Sequence, residues 1–144
     1  MVQLMFKYLF LNLCMVLCFI PSNKISETNW DNVINAIIQI ESRGDSTAIN
    51  KKTDAVGIMQ IKKIVVDDCN EYLAKLNNPK RYTYDDRWNV QKSKEMFVLI
   101  QKRYNKTNDI EKAARIWNGG CCYNKKSTDG YYQKFLKFYN LKED

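Results

Sequence analysis

The stretch IIQIESRGDSTAIN, from Ile37 to Asn50, decides how the rest of the chain is read. Ile38, Ile37 and Ile34 stand three, four and seven residues before Glu41. Glu41 therefore continues the apolar face of a helix. An ionised carboxylate on a buried face is costly, so burial raises its pKa and lets it keep a proton near neutral pH. Such a carboxylic acid suits general acid catalysis at a sugar leaving oxygen. The other reading is a helix-terminal glutamate at the edge of the core, solvated or paired with Arg43 or a lysine. The Arg43-Gly44-Asp45-Ser46 tetrapeptide matches the motif of integrin-binding adhesion proteins. Its residues are equally common in loops: Gly44 is suited to end the helix and Asp45 to open the next turn.

The 144-residue chain is of single-domain size, and with 45% hydrophobic and 12% aromatic residues it can bury a core. A formal charge of +7 favours a polyanionic partner or an anionic setting. The basic residues are dispersed and form no recognition module, which argues against nucleic acid. Histidine is absent, so Ser-His and Cys-His relays are excluded and zinc hydrolysis loses its commonest ligand. No metal and no cofactor is expected.

Lys7 followed by the apolar run Tyr8 to Ile20 and by Pro21-Ser22-Asn23 makes residues 1–22 a signal peptide or an N-terminal membrane anchor. Residues 23–144 are then one exported domain, placed in the periplasm, cell envelope or extracellular space and expected to be monomeric. Cys14 and Cys18 fall within the apolar run. Of the remaining thiols, Cys69 is expected to bridge Cys121 or Cys122 in an oxidising compartment, or else all three stay unpaired.

The remainder reads as mainly α. The first helix carries Trp30, Val33, Ile34, Ile37 and Ile38, with Thr28 or Asn29 as its cap. The polar segment Ser46 to Gly57 is a long connection, with room for two short strands. GIMQI (Gly57 to Ile61) starts a second helix whose inner face is Ile61, Ile64, Val65, Tyr72 and Leu76. Asn77 to Asp86 is a loop. A third helix, Asn89 to Tyr104, turns Met96, Phe97, Ile100 and Tyr104 inward. Asn108 or Asp109 caps a fourth, with Ile110, Ala113, Ala114 and Trp117 inward and NGG (Asn118 to Gly120) as its end. Tyr132, Phe135, Leu136 and Tyr139 face inward on a last helix. Asn105-Lys106-Thr107 matches a glycosylation acceptor, a short motif common by chance.

The order Glu41-Ser42, Asn50, GIMQI, then ARIWNGG (Ala114 to Gly120) resembles the soluble lytic transglycosylase family of lysozyme-like proteins. That family shows Glu-Ser, a polar residue some nine positions on, Gly-Leu-Met-Gln-Ile, and Ala-x-Tyr-Asn-x-Gly. The resemblance runs from Trp30 to Phe135. It implies a lysozyme-like helical domain acting on peptidoglycan glycan strands. Glu41 would protonate the oxygen between N-acetylmuramic acid and N-acetylglucosamine. It would then take the proton of the muramoyl 6-hydroxyl, which closes onto C1 to give a 1,6-anhydro product. Ser42, Asn50, Met59, Gln60, Trp117 and Asn118 would contact the substrate. For Met59 the alternative is a core methionine, for Gln60 a helix-terminal amide, and for Asn118 a helix C-cap. The chain departs from the family pattern at Trp117 (usually tyrosine), Asp54 (often glycine) and Asn50 (usually serine), and by one extra residue between Asn50 and Gly57.

Two other readings remain open at this point. A hydrolytic muramidase would pair Glu41 with Asp45 or Asp54, since retaining enzymes hold two carboxyls about 5 Å apart and inverting ones roughly 6.5–9.5 Å apart. A non-catalytic wall-binding or adhesion module would use Arg43-Gly44-Asp45 instead.

Overall fold

The computed structural model describes residues 29–140. The N-terminal segment read as signal or anchor, with Cys14 and Cys18, lies outside the described residues. Helix α1 spans Asp31–Glu41 and buries Val33, Ile34, Ala36, Ile37 and Ile38. Its N-cap is Trp30, one residue later than expected, while the Asn29 side chain accepts the Asp31 N–H at 2.9 Å. Thr28 lies outside the described residues.

The connection after α1 forms the expected small β-element. Strands β1 (Ile49–Asn50) and β2 (Ala55–Val56) pair antiparallel, Ile49 opposite Val56 and Asn50 opposite Ala55. Val56 also exchanges backbone hydrogen bonds with Ile61, at 2.9 and 3.1 Å. That bridge corrects the reading of GIMQI. Gly57 to Gln60 is a turn, Ile61 is extended, and helix α2 starts only at Lys63 and runs to Lys75. The inner face of α2 is Val66, Cys69 and Leu73, whereas Ile64 and Leu76 are exposed. Ile61 owes its burial to strand pairing and not to a helix, so the observed face of α2 is rotated from the expected one.

The loop after α2 contains one 3-10 turn, Tyr84–Trp88. Helix α3 (Val90–Tyr104) follows, capped by Asn89, whose side chain accepts the Lys92 N–H. Met96, Phe97 and Ile100 are buried as expected, and Tyr104 is half-buried. Helix α4 (Ile110–Gly119) is capped by Asp109, which accepts the Lys112 N–H at 2.6 Å. Ala113, Ala114 and Ile116 are buried, but Ile110, at the first helical position, is exposed. Asn105 is fully buried and holds both ends of the α3–α4 turn: it donates to the Asp109 carbonyl and accepts the Asp109 N–H. It is therefore no surface acceptor for a glycan. Helix α5 (Lys125–Asn140) packs on α1 and α4.

Phe97 lies at the middle of the core. Its ring meets Trp30 edge-on at 5.8 Å and Trp117 at 5.3 Å, so one side chain braces the start of α1 and the end of α4. The buried Arg115 fastens α4 to α5. It pairs with Glu111 and Asp129, donates to the Lys125 carbonyl and to Thr128 Oγ1, and stacks 4.5 Å over Tyr132. Arg87 does similar work for the hairpin. Its guanidinium donates to the carbonyls of Asp54, Ile61 and Tyr84.

Gly57 is where hairpin and 3-10 turn meet. Its φ is +77°, and a Cβ there would stand 2.2 Å from the Arg87 carbonyl oxygen. Gly44, also at positive φ, faces open space. Gly57→Ala is expected to destabilise the fold by about 3 kcal/mol, backbone strain plus overpacking. Gly44→Ala should cost only about 1 kcal/mol, from strain alone. Urea denaturation of both variants checks this, and equal losses would contradict it.

Candidate active site

Glu41 closes the last turn of α1, where the apolar face meets a groove of about 950 Å³. The hairpin and the start of α2 supply Asn50, Thr53, Gln60 and Lys62 to this groove, and the end of α4 supplies Trp117, Asn118, Gly119 and Gly120. Asp67, Asp68 and Glu71 of α2 line it as well. The structure thus brings Glu41, Asn50, Gln60, Trp117 and Asn118 to one cavity from positions up to 77 residues apart in sequence.

Two expected contacts lie elsewhere. Met59, in the turn after β2, is fully buried in the core. Ser42 turns its hydroxyl away to donate to the Ile58 carbonyl at 2.7 Å, and its oxygen accepts the Gly44 N–H at 3.2 Å. Ser42 therefore ties the end of α1 to the turn that carries Gln60. Gln60 itself sits at φ +50° and donates its amide to the carbonyls of Ala48 and Gly57, both at 3.1 Å. Asn50 steadies the hairpin tip by accepting the Lys52 N–H. Trp117 is half-buried against Phe97, and Asn118 is exposed.

The expected bridge from Cys69 to Cys121 or Cys122 is not formed, and all three thiols are free. Cys69 is buried between α2 and α3 with its Sγ on the Met96 carbonyl, whereas Cys121 and Cys122 are exposed beyond α4. Neither carboxylate named for a hydrolytic partnership joins Glu41 either. Asp45 is exposed and accepts from the Thr47 N–H and hydroxyl, and Asp54 pairs with Lys63 and Arg87.

The residue that sequence reasoning missed is Tyr131 on α5. Its hydroxyl donates to Glu41 Oε1 at 2.8 Å. Tyr131 stands four residues before Phe135 and so shares its inner face, which is the signal the sequence carries for it. Lys62, directly after GIMQI, was also missed. Burial pushes the Glu41 carboxyl above the ordinary carboxylate range. The Tyr131 hydrogen bond and, less strongly, the Lys62 charge offset part of that rise. Burial, the Glu41 charge and their hydrogen bond together push Tyr131 well above the ordinary phenol range, so it stays the donor. The result is a carboxyl group that can hold a proton yet has a partner ready for its ionised form.

A raised carboxyl pKa has a thermodynamic signature. The folded protein keeps the Glu41 proton at pH values where the unfolded chain has released it. Stability from this group therefore falls as pH rises from the ordinary carboxylate range through the Glu41 titration. Glu41→Gln removes that loss. Its melting temperature should match the wild type at the acid end and exceed it increasingly toward neutral pH. Thermal unfolding between about pH 4 and pH 8 checks this, and a pH-independent difference would contradict it.

Among the described residues no group of three or more histidine, cysteine or acidic side chains could hold a metal ion, and no helix is long and apolar enough to cross a membrane. Searches of curated proteins and of solved structures give no significant match. The model of the transglycosylase SLT domain matches residues 20–138. With that match over most of its length and a mainly-α, lysozyme-like fold, the chain belongs to the SLT family of lytic transglycosylases, which act on peptidoglycan.

Proposed function

We propose that this protein cleaves the β-1,4 bond between N-acetylmuramic acid and N-acetylglucosamine, with Glu41 as acid and then base. The observation that carries the reading is a desolvated carboxyl at the groove, hydrogen-bonded by Tyr131 at 2.8 Å. In the first step neutral Glu41 gives its proton to the glycosidic oxygen as the bond to C1 breaks. In the second, the Glu41 carboxylate takes the proton of the muramoyl 6-hydroxyl while that oxygen bonds to C1. The product is a 1,6-anhydromuramoyl end, and no water is consumed. Tyr131 and Lys62 stabilise the carboxylate between the two steps, when the charge on Glu41 would otherwise stand desolvated.

The groove supports a polymeric substrate. Its volume is at the upper end of the range of about 300–1,000 Å³ for small-molecule pockets, which suits a run of sugars. Trp117 offers an aromatic face for a pyranose ring. Asn118 and Asn50 bring amide groups. Gln60 spends its amide donors on the hairpin, which leaves its carbonyl oxygen to accept from a sugar hydroxyl. The hydrolytic reading lacks support at Asp45 and Asp54, whose oxygens are engaged elsewhere. Residues 1–22 are read as the export signal or anchor that brings a monomeric domain to the envelope.

Digestion of purified peptidoglycan tests the assignment. Wild type should release anhydromuramoyl products, each lighter by one water than a hydrolysis product. Glu41→Gln should lower the rate by roughly 10²–10⁴-fold. Equal rates would remove Glu41 from the chemistry, and reducing-end products would replace the cyclisation with hydrolysis.

Tyr131→Phe separates chemistry from scaffolding. Because Glu41 must be protonated to act as acid, the rate falls as pH rises through its pKa. Losing the hydroxyl raises that pKa further, so the falling limb should move to higher pH. Turnover should drop by roughly 10- to 100-fold, the scale of a hydrogen bond to a charged group. An unmoved limb would leave Tyr131 with a packing role alone.

A further inference from the structure

The turn that joins α4 to α5 has two cysteines at its corner. The Tyr123 N–H donates to the Gly120 carbonyl at 3.2 Å, which closes a four-residue turn with Cys121 and Cys122 as its central pair. Both thiols are exposed, and their sulfurs lie 3.6 Å apart. Cys121 also lines the groove beside Asn118 and Gly120. Cys69 lies apart from this pair, in the core. It is buried, and desolvation with the Asp68 charge pushes its thiol up to about 12.

We propose that Cys121 and Cys122 form a reversible dithiol–disulfide site, oxidised by exchange with an external organic disulfide, that governs the α4 side of the groove. A thiolate of the pair attacks one sulfur of the external disulfide and releases one thiolate. Its neighbour then attacks the mixed disulfide and releases the second. The cysteines lose two electrons and two protons and gain one S–S bond, and the external disulfide becomes two thiols.

Two features make this pair a switch and not a staple. Adjacent Cα atoms are about 3.8 Å apart, below the usual disulfide span of roughly 4.4–6.8 Å. The bridge is therefore strained, more oxidising than a structural disulfide and readily returned to thiols. The turn also has a mechanical route to the site. A Cβ on Gly119 would stand 2.8 Å from Tyr123 Cβ and 2.7 Å from Thr128 Cγ2, so the end of α4 already touches the far side of the turn and the first turns of α5. Drawing the two sulfurs from 3.6 Å to about 2 Å tightens this corner. The close packing at Gly119 passes that movement to Asn118 and Trp117, the residues before it in α4.

The redox chemistry stands by itself, while the effect on activity rests on the reading of the groove as a glycan site. The full domain is treated with oxidised glutathione in mildly alkaline buffer, because the Cys122 hydrogen bond and partial burial push the Cys121 thiol above its ordinary value. Free thiols are then alkylated and the peptides weighed. The peptide with Cys121 and Cys122 should lose two hydrogens, and Cys69 should be recovered alkylated after unfolding. Peptidoglycan cleavage should slow several-fold and recover with dithiothreitol. Cys122→Ser should keep the basal rate and lose the internal bridge. A pair that stays reduced, a stable glutathione adduct, or a bridge to Cys69 would overturn the site. A bridge with unchanged cleavage would overturn the coupling. If the reduced protein itself cleaves nothing, the glycan reading fails and the mass result still decides the thiol chemistry.

Discussion

Glu41 stands where the apolar face of α1 runs out, and the Tyr131 hydroxyl reaches it from α5. An unpartnered carboxylate in that position would carry the full cost of desolvation. A carboxylate in open water would release its proton far below neutral pH. The hydrogen bond and the nearby Lys62 charge hold the group between these limits. That intermediate setting requires α1 and α5 to be locked in register, which ties the acidity of Glu41 to the packing of the whole domain.

The lock is made of few side chains. Phe97 spans from Trp30 to Trp117, and Arg115 gathers Glu111, Asp129, Lys125 and Thr128 across the α4–α5 seam. On the opposite side of the groove the strands are only two residues long, too short to be rigid alone. Arg87 compensates by binding carbonyls of the hairpin, of Ile61 and of the 3-10 turn. Ser42 completes the frame by attaching the end of α1 to Ile58. The groove is therefore framed by backbone atoms held by buried cations and one hydroxyl.

What local pattern governs was legible in the sequence. The isoleucines before Glu41 announced a buried face with an acid at its end, and Asn118-Gly119-Gly120 marked the close of α4. The rest depends on contacts that no helical period reports. Ile61 is buried by a β-bridge, so a helical count through it turned the face of α2 toward Ile64 and Leu76. Met59 is buried by a turn whose direction no periodicity reveals. Asn105 looks like a surface motif but spends its amide on the α3–α4 junction. Tyr131 acts across 90 residues of chain, and distance in sequence hides such a partner from any local reading.

That same separation orders events in time. During synthesis α1 is made early, and Glu41 is then an ordinary solvated carboxylate with ordinary acidity. The groove acquires its α4 side only after most of the domain exists, and Tyr131 arrives later still, within α5. The acid–base character of Glu41 is thus a property of the finished fold and not of the segment that carries it. A chain interrupted before α5 holds the glutamate without the Tyr131 hydroxyl that partners it in the finished fold.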